Sequence, residues 1–403
     1  MKKQYSLIAT LFLILLPVCA QQNELKYRRS SIYSIMVKHQ NQQFADDIDK
    51  VFNQMPVPDK YNNHDLSVKV VSVDENKLKD EEATIRTFLN QNHIASHLVG
   101  RWFNRDVATG QCDMELIKSR GLYNASVFDQ EVASKTVRGK AMLEDAGLDL
   151  IGNTFVLVND IRYIDRGAGS SVIGALSRVA GAVATYAINN NSLGDNYFEG
   201  ISSAVESYKG FKVKIHTYLY RLKWNDEVAN QFYDEGYADV PDQQKRDYFD
   251  QHRSNFQLEY VGEQESSGSK VSFLGINDDQ PLLMVRKACQ RALDENVANL
   301  QHNFDVFKVK EALISIGPIT AAIGKKEGLN ENSKYEVLEI IADKDGGQTL
   351  KRVGTIAPEK GKIWDNRYMA SEEKAEGADL GYTTFRKLSG GDFYEGMLIR
   401  EIK

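Results

Sequence analysis

The chain has 403 residues, with 50 Lys and Arg against 56 Asp and Glu, 42% apolar residues and three cysteines. At about 150 residues per domain, this length allows two or three domains, enough to bury a core without disulfides or metals. The apolar share excludes a wholly disordered chain, 7 Pro and 29 Gly exclude a collagen-like one, and a pI near 5.8 argues against a nucleic-acid binder.

Residues 1–20 read as a secretory signal peptide. Lys2 and Lys3 supply the basic start, Leu7 to Leu16 a short apolar stretch, and Val18 and Ala20 small residues ahead of a cut before Gln21. The apolar stretch falls short of the roughly 20 residues a membrane-spanning helix needs. The rival reading is a lipoprotein acylated at Cys19, which wants a small residue just before the cysteine, where Pro17-Val18 stands. The expected location is therefore exported, periplasmic or outer-membrane-associated. Cleavage would remove two positive charges and no negative one, taking the net charge from −6 to −8 and leaving Cys112 and Cys289. One disulfide is open to them in an oxidising compartment, but Cys289 lies on the apolar stripe of a predicted helix, the setting of a buried thiol.

In chain order, Ser31 to Val37 is rich in β-formers and predicts a strand, and Asp46 to Asn53 a short helix closed by Pro56 and Pro58. Leu66 to Val73 alternates as a half-buried strand, and Leu78 to Leu89 carries Ile85, Phe88 and Leu89 on one helical side. Leu98 to Phe103 reads as a strand. Asp129 to Leu150 reads as a long helix, with Gly152 at its end. Thr154 to Val158 is a continuous β-branched run suited to a strand covered on both faces. Phe211 to Trp224 alternates Val213, Ile215, Thr217 and Leu219 with Lys212, Lys214, His216 and Tyr218. Strand, helix and strand in this order predict a layered α/β domain.

Between these strands, residues 167–192 are dominated by Gly, Ala, Ser and Val, with Gly174 and Gly181, and Ala175 and Ala182, seven apart. Such a stretch suits a tightly packed helix or loop. An oligomer-forming segment or one touching a membrane periphery is the alternative, and Arg178 argues against a lone spanning helix. Farther on, helices are expected over Asn225–Tyr233 and Pro241–His252, and a hairpin over Phe256–Val261 and Lys270–Leu274 with a Ser-rich tip. Pro281 to Leu300 repeats apolar residues at three and four and predicts the strongest helix. From about Phe307, short β-like runs (Ala312–Ile316, Tyr335–Ile341, Thr349–Ile356, Met397–Ile402) alternate with turn residues, including Gly346-Gly347 and Gly390-Gly391. The expected fold is α+β and multidomain: residues 21–95 an N-terminal α/β segment or subdomain, 96–306 an α/β domain with the insert, and 307–403 a small β-barrel or sandwich.

Phosphate-loop, dinucleotide-loop, nucleophile-elbow and zincin motifs are absent. His93 and His97 have the four-residue spacing of zinc ligands, but no glutamate sits between them, so neither a metal nor a cofactor is expected. Asp160, Arg162 and Asp165 stand at the end of a buried strand, where α/β sheets hold ligands and where carboxylates can serve as acid or base. The plainer reading is solvated Asp–Arg pairing. Tyr218, Tyr220 and Trp224 on one strand form a conceivable aromatic platform for glycan or peptide, against the commoner use of aromatics in packing.

The stretch Gly317 to Leu329, then Lys334 to Glu339 with its Tyr-Glu-Val, then Val353-Gly-Thr-Ile356, resembles the β module of the flagellar assembly protein T family. There a curli-secretion-like α/β domain precedes a small β domain, and the helix Pro281–Leu300 is similar in position to the closing helix of that domain. The chain also resembles exported proteins of the gut Bacteroidetes type. These resemblances imply an envelope location and structural motifs, with no catalytic residue to carry over. The expected role is a non-enzymatic interaction or assembly protein of the bacterial envelope, with a protein partner or self-association. The alternatives are a secreted hydrolase of envelope glycan or peptide, with Asp160 and Asp165 as its acids, or a glycan- or peptide-binding protein.

Overall fold

The computed structural model describes residues 30–39, 41–72, 81–124, 150–164, 212–267, 281–342, 348–373 and 375–402. The leader, the predicted helix 129–150 up to residue 149, Asp165 and the insert 167–192 lie outside these residues. The elements are β1 (Ser31–Lys38), α1 (Ala45–Gln54), β2 (Asn62–Asn63), β3 (Val70–Ser72), α2 (Glu81–Gln91), α3 (Ile94–Trp102), α4 (Glu115–Asn124), β4 (Thr154–Tyr163) and β5 (Val213–Leu222). They continue with α5 (Asp226–Gln231), α6 (Gln243–Gln251), β6 (Leu258–Ser267) and α7 (Pro281–Asn303). The last part holds β7 (Glu311–Ile316), β8 (Ile319–Ala321), β9 (Lys334–Ala342), β10 (Gln348–Pro358), β11 (Thr383–Gly390) and β12 (Leu398–Ile402).

The first sheet runs β2-β1-β4-β5-β6, with β3 also on β1. β1 and β4 are parallel, Ser31 opposite Thr154 through Val37 opposite Asp160, and β4, β5 and β6 are antiparallel. Both strands carry mainly apolar residues, Ile32 to Val37 broken by Ser34 and Phe155 to Val158 unbroken, because both faces are covered. On one face Tyr33, Ile35, Val156, Val158 and Tyr218 pack against Ile85 and Leu89 of α2 and Leu98, Val99 and Trp102 of α3. On the other, Met36, Ile161, Val213 and Ile215 meet Ile48, Val51 and Phe52 of α1 and Val285, Ala288, Cys289 and Ala292 of α7. Each such aliphatic or aromatic side chain contributes about 1.5–3 kcal/mol by leaving water. Strand β1 thus sits inside the sheet, and α1, β3 and α2 pack into the same layered core as β4, β5 and α7. Cys112 and Cys289 are both buried free thiols.

Four local expectations change. Leu98–Phe103 is the end of helix α3: Ile94, Ala95, Leu98, Val99 and Trp102 are buried at helical spacing, after His93 restarts the chain at φ 49°. The strand over Leu66–Val73 shrinks to β3, because Asp65 Oδ1 accepts from Ser67 N (2.8 Å) and Ser67 turns left-handed at φ 72°. β4 runs on to Tyr163, so Asp160 and Arg162 lie within the strand. Ser266 and Ser267 belong to β6 rather than to a hairpin tip: they pair with Ile215 and Lys214 of β5, and Ser266 Oγ donates to Ala292 O (3.1 Å).

The C-terminal strands close into a barrel in the order β10-β11-β8-β7-β12-β9. Leu313, Ala321, Tyr335, Val337, Ile356, Phe385 and Ile399 fill it. Gly354, in the Val-Gly-Thr-Ile run, lets β10 touch its neighbours: a Cβ there would lie 2.3 Å from Ser389 O and 2.7 Å from Phe393 Cζ. Helix α7 is covered on the sheet side and on the barrel side. Its Lys287 and Arg291 reach Glu373 at 2.6 and 2.8 Å, and Arg291 also donates to Tyr368 O. Lys60 on the sheet side meets Glu311 of β7 at 2.5 Å, and Lys326 reaches Asp59 at 3.1 Å.

Candidate functional site

At the C-terminal edge of β1 and β4 the fold gathers a polar cluster. β4 aligns Asp160 with the end of β1, and His39, just past β1, donates from Nε2 to Asp160 Oδ1. Arg162, two residues along the same strand face, donates from Nε to Asp160 Oδ2 at 2.7 Å. Glu81 opens α2 above the sheet, its Oε1 3.7 Å from Arg162 Nη2. Tyr218 on β5 shares a hydrogen bond with His216 Nδ1 (3.1 Å), and His216 Nε2 lies 3.5 Å from Glu263 on β6.

The two carboxyl groups are driven apart. Burial, then the adjoining Asp160 carboxylate, pushes Glu81 above the ordinary carboxylate range. Burial opposes ionisation of Asp160 too, but hydrogen bonds from His39, Glu81 and Arg162 outweigh it and hold its carboxyl below that range. Burial and the Glu81 charge raise the Tyr218 phenol. A carboxylate held charged beside one held near its protonated form is the pattern of an acid–base pair. The Asp160 side chain is 3% exposed, and both its oxygens already have partners from this chain. The arrangement works as a clasp joining β1, β4, β5 and α2.

Of the residues singled out from sequence, Asp160, Arg162 and Tyr218 meet in this cluster. Tyr220 and Trp224 do not. Tyr220 is buried and donates to Glu82 Oε1 (3.0 Å), and Trp224 packs its ring 5.9 Å from that of Phe232. With Tyr218 and Tyr220 in the core, this strand offers no aromatic platform to a glycan. His39, Glu81 and Glu263 were not singled out. Their signal lay in the pairing of β1 with β4, which brings a histidine 121 positions away onto Asp160.

A cleft of about 300 Å³ lies at the opposite end of the sheet, beside Ser30, Asn153 and Arg221. The acid pair and this cleft therefore do not share a site. The exposed large apolar side chains tell a different story in the barrel, where Ile314, Ile316, Leu388 and Tyr394 are 39–50% exposed. The register gathers them. β11 pairs with β8 only up to Phe385 opposite Ile319, so Leu388 runs on to the end where β7 turns into β8. Gly396 N donates to Leu313 O at 2.9 Å, drawing the loop that carries Tyr394 alongside β7. Compared with protein-family models and with curated proteins, the sequence matches none.

Proposed function

We propose that this chain is an exported, non-enzymatic interaction protein of the bacterial envelope, periplasmic or at the outer-membrane periphery, which contacts a protein partner through the barrel end. One observation carries the reading: Ile314 and Ile316 on β7, Leu388 on β11 where it runs past the short β8 between them, and Tyr394 in the loop before β12 all stand exposed toward one barrel end. Isolated apolar side chains on a surface need no explanation, but a gathering of them marks an interaction site. The signal peptide expected over residues 1–20 supports a partner outside the cytoplasm. The test is crosslinking in the native host with the wild-type chain and the double variant Ile316→Asp, Leu388→Asp. A discrete adduct formed by the wild type and lost in a stably folded variant supports the reading, and an identical adduct pattern sinks it.

A second reading, a hydrolase of envelope glycan or peptide, draws on the Glu81–Asp160 pair. It requires the cluster to open, since the buried Asp160 carboxylate is engaged by His39 and Arg162. Turnover of peptidoglycan fragments that vanishes in Glu81→Gln would favour it over the assembly reading.

A further inference from the structure

The cleft between the sheet and the linker into the barrel is walled by cations in an otherwise acidic protein. Lys60, Arg221, Lys308 and Lys310 line its roughly 300 Å³, with Asp305 as the acid among its lining residues. The linker from α7 to β7 forms one wall, and the starts of β1 and β4 and the end of β5 form the other.

The four cations are not equivalent. Lys60 is held by Glu311 at 2.5 Å and by Ala322 O, so it is a fixed and neutralised part of the wall. Arg221 donates to two neutral oxygens, Gly152 O at 2.6 Å and Asn153 Oδ1 at 3.2 Å. These fix the guanidinium without cancelling its charge. Lys308 is the telling group. Its side chain is 9% exposed, yet it pairs with Asp305, whose side chain is 84% exposed, at 2.8 Å. An ion pair to so solvated a carboxylate is worth little, so the acid can swing aside at small cost. A buried ammonium held by an easily displaced aspartate, facing a preset arginine across a cleft, is a binding arrangement for an anion.

We propose that this junction cleft binds a small multivalent anion carrying phosphate groups, with Arg221 and Lys308 as its principal ligands and Asp305 as the group it displaces. Because one wall is the linker that leads into β7, the bound anion would hold that linker against the sheet. The proposal does not depend on the barrel end being an interaction surface. It places a ligand at the N-terminal edge of the parallel strands, with domain-junction location rather than strand polarity as the cause.

The test is titration calorimetry of the full chain with pyrophosphate at 0.15 M salt, alongside flotation with phosphatidylglycerol vesicles and phosphatidylcholine controls. The expected result is saturable pyrophosphate binding, weakened at least about tenfold in Arg221→Gln, the loss of one charged hydrogen-bonding group. Asp305→Asn, a change at an exposed side chain, should tighten binding about two- to fivefold, the worth of a weak ion pair removed as competitor. Binding to phosphatidylglycerol vesicles that Arg221→Gln also abolishes identifies a lipid headgroup as the source of the phosphate. No saturable binding to either probe, or binding unchanged in both variants, overturns the proposal.

Discussion

Lys287 Nζ of α7 lies 2.6 Å from Glu373 Oε1 of the barrel domain, and the lysine side chain is fully buried. Arg291, one helical turn on, holds the same carboxylate oxygen at 2.8 Å. Two cations from the helix that closes the sheet thus converge on one acid beyond it. Such a pair is weak evidence for net stabilisation, but breaking one side strands a buried charge. Glu373→Gln should therefore cost about 3–5 kcal/mol in denaturant unfolding. Should it cost less than about 1 kcal/mol, the two domains are not joined through this contact.

Asp294, on the same helix, adds a pH dependence. Burial pushes its carboxyl up to about 7, against the pull of Lys326 and a hydrogen bond from Gln290. The folded chain then holds this proton more tightly than the unfolded one, so stability falls as pH rises from about 4 through 7. Asp294→Asn should flatten that part of the curve. At pH 8 the variant is expected to exceed the wild type by on the order of 2 kcal/mol, and at pH 5 to match it. Parallel Tm-against-pH curves for the two proteins would contradict this.

The clasp at the other edge has the opposite sign. The Asp160 carboxyl is held down, so its contribution is present above the ordinary carboxylate range and is lost as pH falls below about 4 through its lowered native value. Asp160→Asn leaves Arg162 and His39 facing an amide and should cost about 2–4 kcal/mol at pH 7. Glu81, already pushed towards its protonated form, should tolerate Gln at a cost under about 1 kcal/mol at pH 6. Equal losses for the two substitutions would mean that the pair is not divided as described.

The split between what the sequence revealed and what it withheld follows from the range of each signal. Thr154–Val158 and Phe211–Trp224 were legible because burial on both faces or on one writes itself into adjacent residues, and α7 because 23 residues carry a long apolar period. Leu98–Phe103 misled because the helical repeat of α3 begins at Ile94, ahead of the fragment that looked β-like. β8 has three residues, and five of the eight residues of β11 are exposed, so neither carries a pattern from which closure of the barrel could be read. In the cluster, Asp160 and Arg162 were visible as polar residues ending an apolar run. His39 and Glu81 reach them only through strand pairing and the approach of α2, which no local spacing encodes.

Gly354 offers a test of the barrel alone. Its missing side chain is what lets β10 lie against Ser389 O and the Phe393 ring. Gly354→Ala should cost about 1–3 kcal/mol through overpacking and lower the unfolding midpoint of the barrel. Gly361, where a Cβ meets nothing within 4 Å but φ is 72°, makes a control for backbone strain without crowding. If both substitutions cost the same, close approach at Gly354 is not what its position requires.

The central claim, a protein-contacting barrel end, is tested most directly by site-specific photo-crosslinking in the native host. The probe is placed at Ile316 and, as a control, at Val107, which is 73% exposed in the α/β domain. A discrete protein adduct from position 316, with none from position 107, is the expected result. No adduct from position 316, or the same adducts from both positions, would contradict the account.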